Sequence, residues 1–506
     1  MKKRQGVVVL LGILALGPIL AMTSCGPSVD LTGLGNGGNT DGTGIGPVAG
    51  FGSVIVDGVG YDDSGIDNTN FFDDHGRTKA ELEAGMMVAI TGTINGADGT
   101  ADNITVLRHV DGPMDDNGVD LSTNRLKVMG QDVVVDTSTV FDNGVTNLAD
   151  LRTLQGANVN HPELEVHGPA DNNGVIHATF IHKWADDRAA GRDVQVRGTV
   201  AGPPTATTFV IGRKTVDYSG APGGLPPGVI AGSFVEVKGT LGALDNALVA
   251  NLVKLEDAIG GQPSGSRVEV EGYVNRVTTP GTSFEMIGPN GIQTVIWAGT
   301  TPITGGTGAD IRAGIKVEVE GTRKVGGALA AAKIEIRRAN NVRMESNATS
   351  ITGVSLTVFG KTVKVNALTR YKDSSIIHLR TFGQANILVG DSLGVSASLD
   401  NTTVPASIVA TRVERIGALA ADRRILQGPV DSFLPGGPDL FILGIDVLGG
   451  TAAFSGTDGT PLTQAQFFQV LADNRAAGKT TIVKARGTDS NPMSANALQI
   501  EPTIDN

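Results

Sequence analysis

The sequence predicts an all-β protein: six tandem small five-stranded barrels, each with a short helix, behind a signal peptide and a flexible linker. Three observations carry that expectation. A strand of the form G-x-x-V-x-V-x-G recurs along the 506 residues, an A-x-x-I/V strand follows each occurrence, and 70 Gly with 22 Pro punctuate the chain. Length alone would suggest about three domains of ~150 residues. A repeat overrides that prior, because each copy must be one structural unit.

The opening residues read as an address. Lys2, Lys3 and Arg4 precede an apolar run from Gly6 to Ala21, and Met22, Thr23 and Ser24 lead to Cys25. A basic head, a short apolar middle and a small-residue exit describe a secretory signal rather than a membrane span, and Gly17 with Pro18 weakens the run as a bilayer-crossing helix. The exit resembles a bacterial lipobox, with Met22 where Leu is usual. That resemblance implies acylation of Cys25, the only Cys in the chain, and anchoring by more than one acyl chain. Gly26 stands where Asp would signal inner-membrane retention, so the outer membrane is the expected destination. Residues 26–45 are rich in Gly, Asn and Thr and read as a tether of about 25 Å root-mean-square span. Gly33-Leu34-Gly35-Asn36-Gly37-Gly38 has dinucleotide-turn spacing but no strand before it or helix after it, which removes that reading.

The repeat follows. Its clear first strands are Gly85 to Gly92, Gly232 to Gly239 and Gly314 to Gly321; weaker ones are Leu164 to Gly168, Gly390 to Ala397 and Val483 to Gly487. The second strands carry Ala101/Ile104, Ala178/Ile181, Ala250/Val253, Ala331/Ile334, Ala410/Val413 and Ala497/Ile500, at intervals of 77, 72, 81, 79 and 87 residues. Each copy opens with alternating apolar residues around a Gly turn, as in Val54-Ile55-Val56-Asp57-Gly58 and Leu126-Lys127-Val128-Met129-Gly130, a hairpin signal. Helical stretches are expected at Thr78 to Ala84, Asn147 to Gln155 and Thr460 to Ala477, the last with Pro461 in its first turn. Three strands, a helix and two strands is the order of the OB-fold, a Greek-key barrel with a helix at one end. A β-sandwich per copy is the alternative. One large outer-membrane barrel would want aromatic girdles, and 15 Phe, 4 Tyr and 2 Trp do not supply them.

With these motifs the chain resembles a bacterial domain-of-unknown-function family of tandem OB-like β-barrel repeats found in envelope lipoproteins. The resemblance spans roughly residues 46 to 501 and implies the fold, with no activity or functional residues attached. The expected segments are a lipoprotein signal peptide at 1–24 and a tether at 25–45. Barrel units follow at 46–108, 109–184, 190–257, 266–338, 342–416 and 424–501.

Charge and motifs narrow the function. The formal charge is −12, and loss of the three leader cations makes it −15, a surface that repels nucleic-acid phosphates. Gly360-Lys361-Thr362 and Gly478-Lys479-Thr480 lack the upstream Gly and the strand-to-helix setting of a phosphate loop. No H-E-x-x-H occurs, and the G-x-S-x-G at Gly390-Asp391-Ser392-Leu393-Gly394 opens a repeat strand instead of the strand-to-helix turn such a nucleophile needs, so no enzyme is expected and no cofactor. Four of the seven His fall in the second copy: His161, His167, His177 and His182. A turn centred on Asn172 would place His167 opposite His177, with Glu165 on the same face, a set able to hold zinc, copper or nickel; a solvated polar face is the other reading. Acidic runs such as Asp62-Asp63, Asp73-Asp74 and Asp115-Asp116 offer oxygen ligands for Ca²⁺, but Asp, Asn and Gly are also what tight turns use, and turn chemistry is the expectation. Trp184 and Trp297 read as packing caps. The expected function is a non-enzymatic, lipid-anchored outer-membrane protein with a binding or structural role, touching the membrane through Cys25 and other envelope proteins or polymers through its barrels. The alternative is a metal- or small-ligand-binding lipoprotein centred on the second copy.

Overall fold

Alternation of Val, Ile and Met with polar residues makes strands, and in the computed structural model strands dominate. The structure describes residues 40–503 apart from 189–190, 243–246, 260, 435 and 489–490; Cys25 and the expected leader lie outside the described residues. The α-helices among them are Leu148–Gln155 and Gln464–Ala476. No described helix is long and apolar enough to cross a membrane.

The first copy closes a ring. Thr40–Gly50 pairs antiparallel with Val54–Val56 and with Met87–Asn95. Val54–Val56 pairs with Val59–Asp62, which runs parallel to Asp98–Val106, and that strand returns antiparallel to Met87–Asn95. The result is a five-stranded barrel whose alternate residues, among them Val56, Tyr61, Val88, Ile90 and Ile104, are buried inside; each such aliphatic side chain contributes about 1.5–3 kcal/mol. The component pairings recur. In the second copy Val110–Asp120 pairs with Arg125–Val128 and with Glu163–His167. Its last strand is broken into Ile176–His177, parallel to Gln131–Val134, and Phe180–Ala185, antiparallel to Glu163–His167. Hairpins with the third strand parallel to the last appear again at 208–217, 283–296, 355–364 and 440–448.

The motif Gly has a physical reason. At Thr91/Gly92, Lys238/Gly239, Glu320/Gly321 and Arg486/Gly487 the ladder slips by one residue. A Cβ there would lie 1.9 Å from Thr100 O at Gly92, 1.9 Å from Val249 O at Gly239 and 2.0 Å from Ser494 O at Gly487. A bulge with the neighbouring backbone pressed close excludes a side chain. The small residue opposite is the motif Ala: Ala101, Ala250 and Ala331 face these Gly residues. In the last copy the residue opposite Gly487 is Ala495. The equivalent pair is therefore Ala495/Leu498, two residues before the expected Ala497/Ile500.

Other expectations shift for local reasons. Thr40 to Ile45, expected in the tether, belong to the first strand, where Gly42 and Gly44 let Ile94 and Tyr61 close in. Thr78 to Ala84 forms only a 3₁₀ turn over Lys79–Glu81. Asn147 caps the helix at 148–155 by accepting from Ala149 N–H and Asp150 N–H. The last helix starts after Thr463, whose capping box with Gln466 takes the start from Pro461.

Three sheets result, and each joins two copies through their first strands. Gly42–Ile45 runs parallel to Arg267–Val270, Val110 and Asp111 pair with Val196 and Gln195, and Arg343–Glu345 pairs with Ile425–Gln427. The first four copies also touch around a circle: the first meets the second through Met87 N–H and His167 Nδ1 at 3.1 Å, and the third meets the fourth through Arg197 Nη1 and Asn290 Oδ1 at 2.9 Å. The fifth sits on this group, Arg370 reaching Ser138 Oγ at 2.7 Å and Arg412 reaching Thr139 O at 3.0 Å.

Candidate functional site: the charged junction of the first two copies

Leu164 and Val166 point into the second barrel, so Glu163, Glu165 and His167 point out, and yet all three are at most 1 % exposed. The first copy covers Glu165 and His167. Facing Glu165 on the adjacent strand is Asp111, itself 1 % exposed. The loop after Phe71–Phe72 supplies the opposite wall: Asp73 Oδ2 accepts from His75 N–H at 3.2 Å and Arg77 N–H at 2.8 Å, fixing both side chains toward the second copy.

Between these walls lies Arg108, fully buried, ion-paired with Asp73, with Asp74 at 3.6 Å and with Glu165 Oε1 at 3.1 Å. Glu165 Oε1 also accepts from Arg77 Nη1 at 2.7 Å and His167 Nε2 at 2.5 Å. Because His167 Nδ1 accepts from Met87 N–H, its Nε2 carries the proton that Glu165 receives. Burial alone would raise Glu165, but the His167 hydrogen bond and the adjacent guanidiniums hold it well below the usual carboxylate range. Its second oxygen, Oε2, is buried without a hydrogen-bond partner. His75 Nε2 bonds Asp111 Oδ2. Burial pushes His75 down, and the Asp111 carboxylate overcomes it, so the imidazole titrates above its ordinary range. Arg192 pairs with Glu163 and lies 3.6 Å from Asp111 Oδ1. Trp184 is the rim: Arg77 and Arg192 stand 4.7 and 5.1 Å from its ring centre, and His75 and His182 lie at 4.9 and 4.5 Å.

Of the sequence-derived metal set, the structure brings Glu165 and His167 together and leaves His177 apart. His167 lies opposite Phe180, not His177. The segment between them is no plain hairpin: Asp171 Oδ1 accepts from Asn173 N–H and Val175 N–H, and His177 N–H turns back to Pro169 O. His177 then stacks on Tyr273 of the fourth copy at 4.2 Å and bonds Asp171 at 3.3 Å. Both ring nitrogens of His167 are engaged, so it has no lone pair for a metal. The group that does converge is His75, Asp111 and Glu165, with one ligand atom from each within 4.8 Å of the others. His75 and Asp111 escaped sequence reasoning because they belong to different copies. A usable signal was present in the dense polar run Asp73 to Arg77 and in Arg108-His109-Val110-Asp111 between two strands. The acidic runs do turn work, Asp62 accepting from Ser64 N–H at 2.9 Å and Asp115 from Gly130 N–H at 3.0 Å, while Asp73 also pairs with Arg108.

A second charged junction lies between the first and fourth copies. Arg267 pairs with Glu269 at 2.6 Å and Glu320 at 2.8 Å, and Lys316 with Glu271 at 2.8 Å. Burial, against the pull of Arg267, pushes Glu269 up to about 8. Burial and the neighbouring Glu318, Glu271 and Glu269 raise Asp57 well above its usual range. Nearby, Asp136, Ser138, His177, Tyr273, Lys316 and Arg338 help line a cavity of 30 Å³, room for a water or two.

The model of a domain of unknown function (DUF5666) matches three stretches of the chain, residues 112–182, 271–335 and 347–414. No curated protein matches the sequence.

Proposed function

We propose, for a chain that belongs to this family of tandem domains of unknown function, a non-enzymatic scaffold of six OB-like barrels anchored in the bacterial outer membrane through a lipid on Cys25. The barrels run over 40–106, 110–185, 194–255, 267–337, 342–415 and 424–501. Three of them contain the matched stretches, and the other three repeat the same strand pairings. The observation that carries the reading is the joining of copies through their first strands, with charged side chains from the outward positions spent on locking one copy to the next. Such an assembly presents large fixed surfaces, suited to holding an envelope protein or polymer in place. The acidic charge argues against nucleic acid as that partner.

Two measurements test this. Cells fed labelled palmitate are expected to label the wild-type chain and not Cys25→Ala; an unlabelled wild type overturns the anchor. Site-specific photocrosslinking from exposed positions in intact cells is expected to trap a discrete envelope component, and crosslinks confined to lipid overturn the scaffold role.

A further inference from the structure

We propose that the junction of the first two copies holds one divalent transition-metal ion on His75, Asp111 and Glu165, a site independent of the scaffold reading. An imidazole and two carboxylates form a ligand set suited to zinc and its first-row neighbours, and here one atom from each lies within 4.8 Å of the other two.

Three features point to an ion. Glu165 is fully buried, its Oε1 takes two hydrogen-bond donors and the Arg108 ion pair, and its Oε2 takes none. A buried carboxylate oxygen without a partner is costly, and a cation is the partner it lacks. Asp111 is built similarly, Oδ2 bonded to His75 and Oδ1 without a hydrogen bond, Arg192 standing off at 3.6 Å. The charges allow it: among the described residues Asp73, Asp74, Asp111 and Glu165 meet the guanidiniums of Arg77, Arg108 and Arg192 and the imidazole of His75, whose proton a metal ion would replace. Lys238 reaches Asp74 from the rim, where Glu236 shares it. The outer contacts fit as well, since His167, Arg77 and Arg108 fix the Glu165 carboxylate and Asp73 fixes the backbone under His75. The ion would bridge the first copy, which gives His75, to the second, which gives both carboxylates.

Trp184 makes the site readable, because its ring lies 4.9 Å from His75. In the full mature chain carrying Trp297→Phe, Trp184 is the sole indole. Titration with Co²⁺ is expected to quench its fluorescence with a saturable one-to-one curve, reversed by added Zn²⁺. His75→Ala and Asp111→Asn are expected to weaken binding by well over about 100-fold, beyond the roughly 10–100-fold of a lost outer contact, and His177→Ala to leave the curve unchanged. His75→Gln, isosteric and in a loop, guards against a folding defect, with circular dichroism as the check. Absence of saturable quenching by the folded parent, or an unchanged curve in folded His75→Gln, overturns the site.

Discussion

The first copy is locked to two neighbours by charge, and the two locks are built in opposite ways. Against the second copy, Arg108 and Arg77 lie directly on Glu165, which stays ionised at any ordinary pH. Against the fourth, burial raises Asp57, Glu269 and Glu318, and the two glutamates press further on Asp57. Both sets come from outward positions beside the barrel-facing Val residues, or from the hairpin turn. The same repeat thus yields an ion-paired seam where Arg arrives from a linker and a proton-holding seam where burial raises the carboxylates. What the repeat specifies is which positions face a neighbour; the chemistry of each seam depends on which neighbour arrives.

The largest expected effect breaks the first seam. Arg108→Met leaves Asp73 and Glu165 buried without its guanidinium, and chemical denaturation is expected to show a loss of about 3–5 kcal/mol. The second seam is to be broken by pH. A raised folded pKa stabilises fully below the unfolded value and loses that contribution as pH rises toward the folded one. Glu269, at about 8, is therefore expected to cost roughly 2 kcal/mol between pH 6 and 8. Glu269→Gln should flatten that limb while the Arg108 effect persists.

A steric change sharpens the comparison by leaving both seams charged. Gly239→Ala drives a Cβ to 1.9 Å from Val249 O in the third copy, for an expected loss of about 2 kcal/mol with no change in pH dependence. His109 sharpens it from the acid side. Burial, opposed by the hydrogen bond to Gly168 O, lowers it to about 4, so the unfolded chain takes up a proton that the folded chain refuses. Stability should fall by about 1.4 kcal/mol between pH 6 and 5, and His109→Gln should remove that fall.

The barrel was legible because its causes are local. Val-x-Val alternation, the bulge Gly, the facing Ala and the two-residue turns each act within a dozen residues. Asp57-Gly58 and Met129-Gly130, both with positive φ, are the turn chemistry that the hairpins announced. Regions were misread where tertiary contact decides. Gly42 and Gly44 look like tether until Ile94 and Tyr61 need the space. Pairing of the first copy with the fourth leaves no trace in spacing. The charged site was half legible: Glu165 was found from its strand, but the residues that complete the group come from the next strand and the preceding copy. Outward charge reads as solvated when the covering barrel is unknown.

The strand Thr40–Gly50 is held along one edge by its own barrel and along the other by the fourth copy. A pull applied at Thr40 enters the folded body along the strand axis and loads both ladders in shear rather than peeling one bond at a time. Two copies more than 200 residues apart share that load.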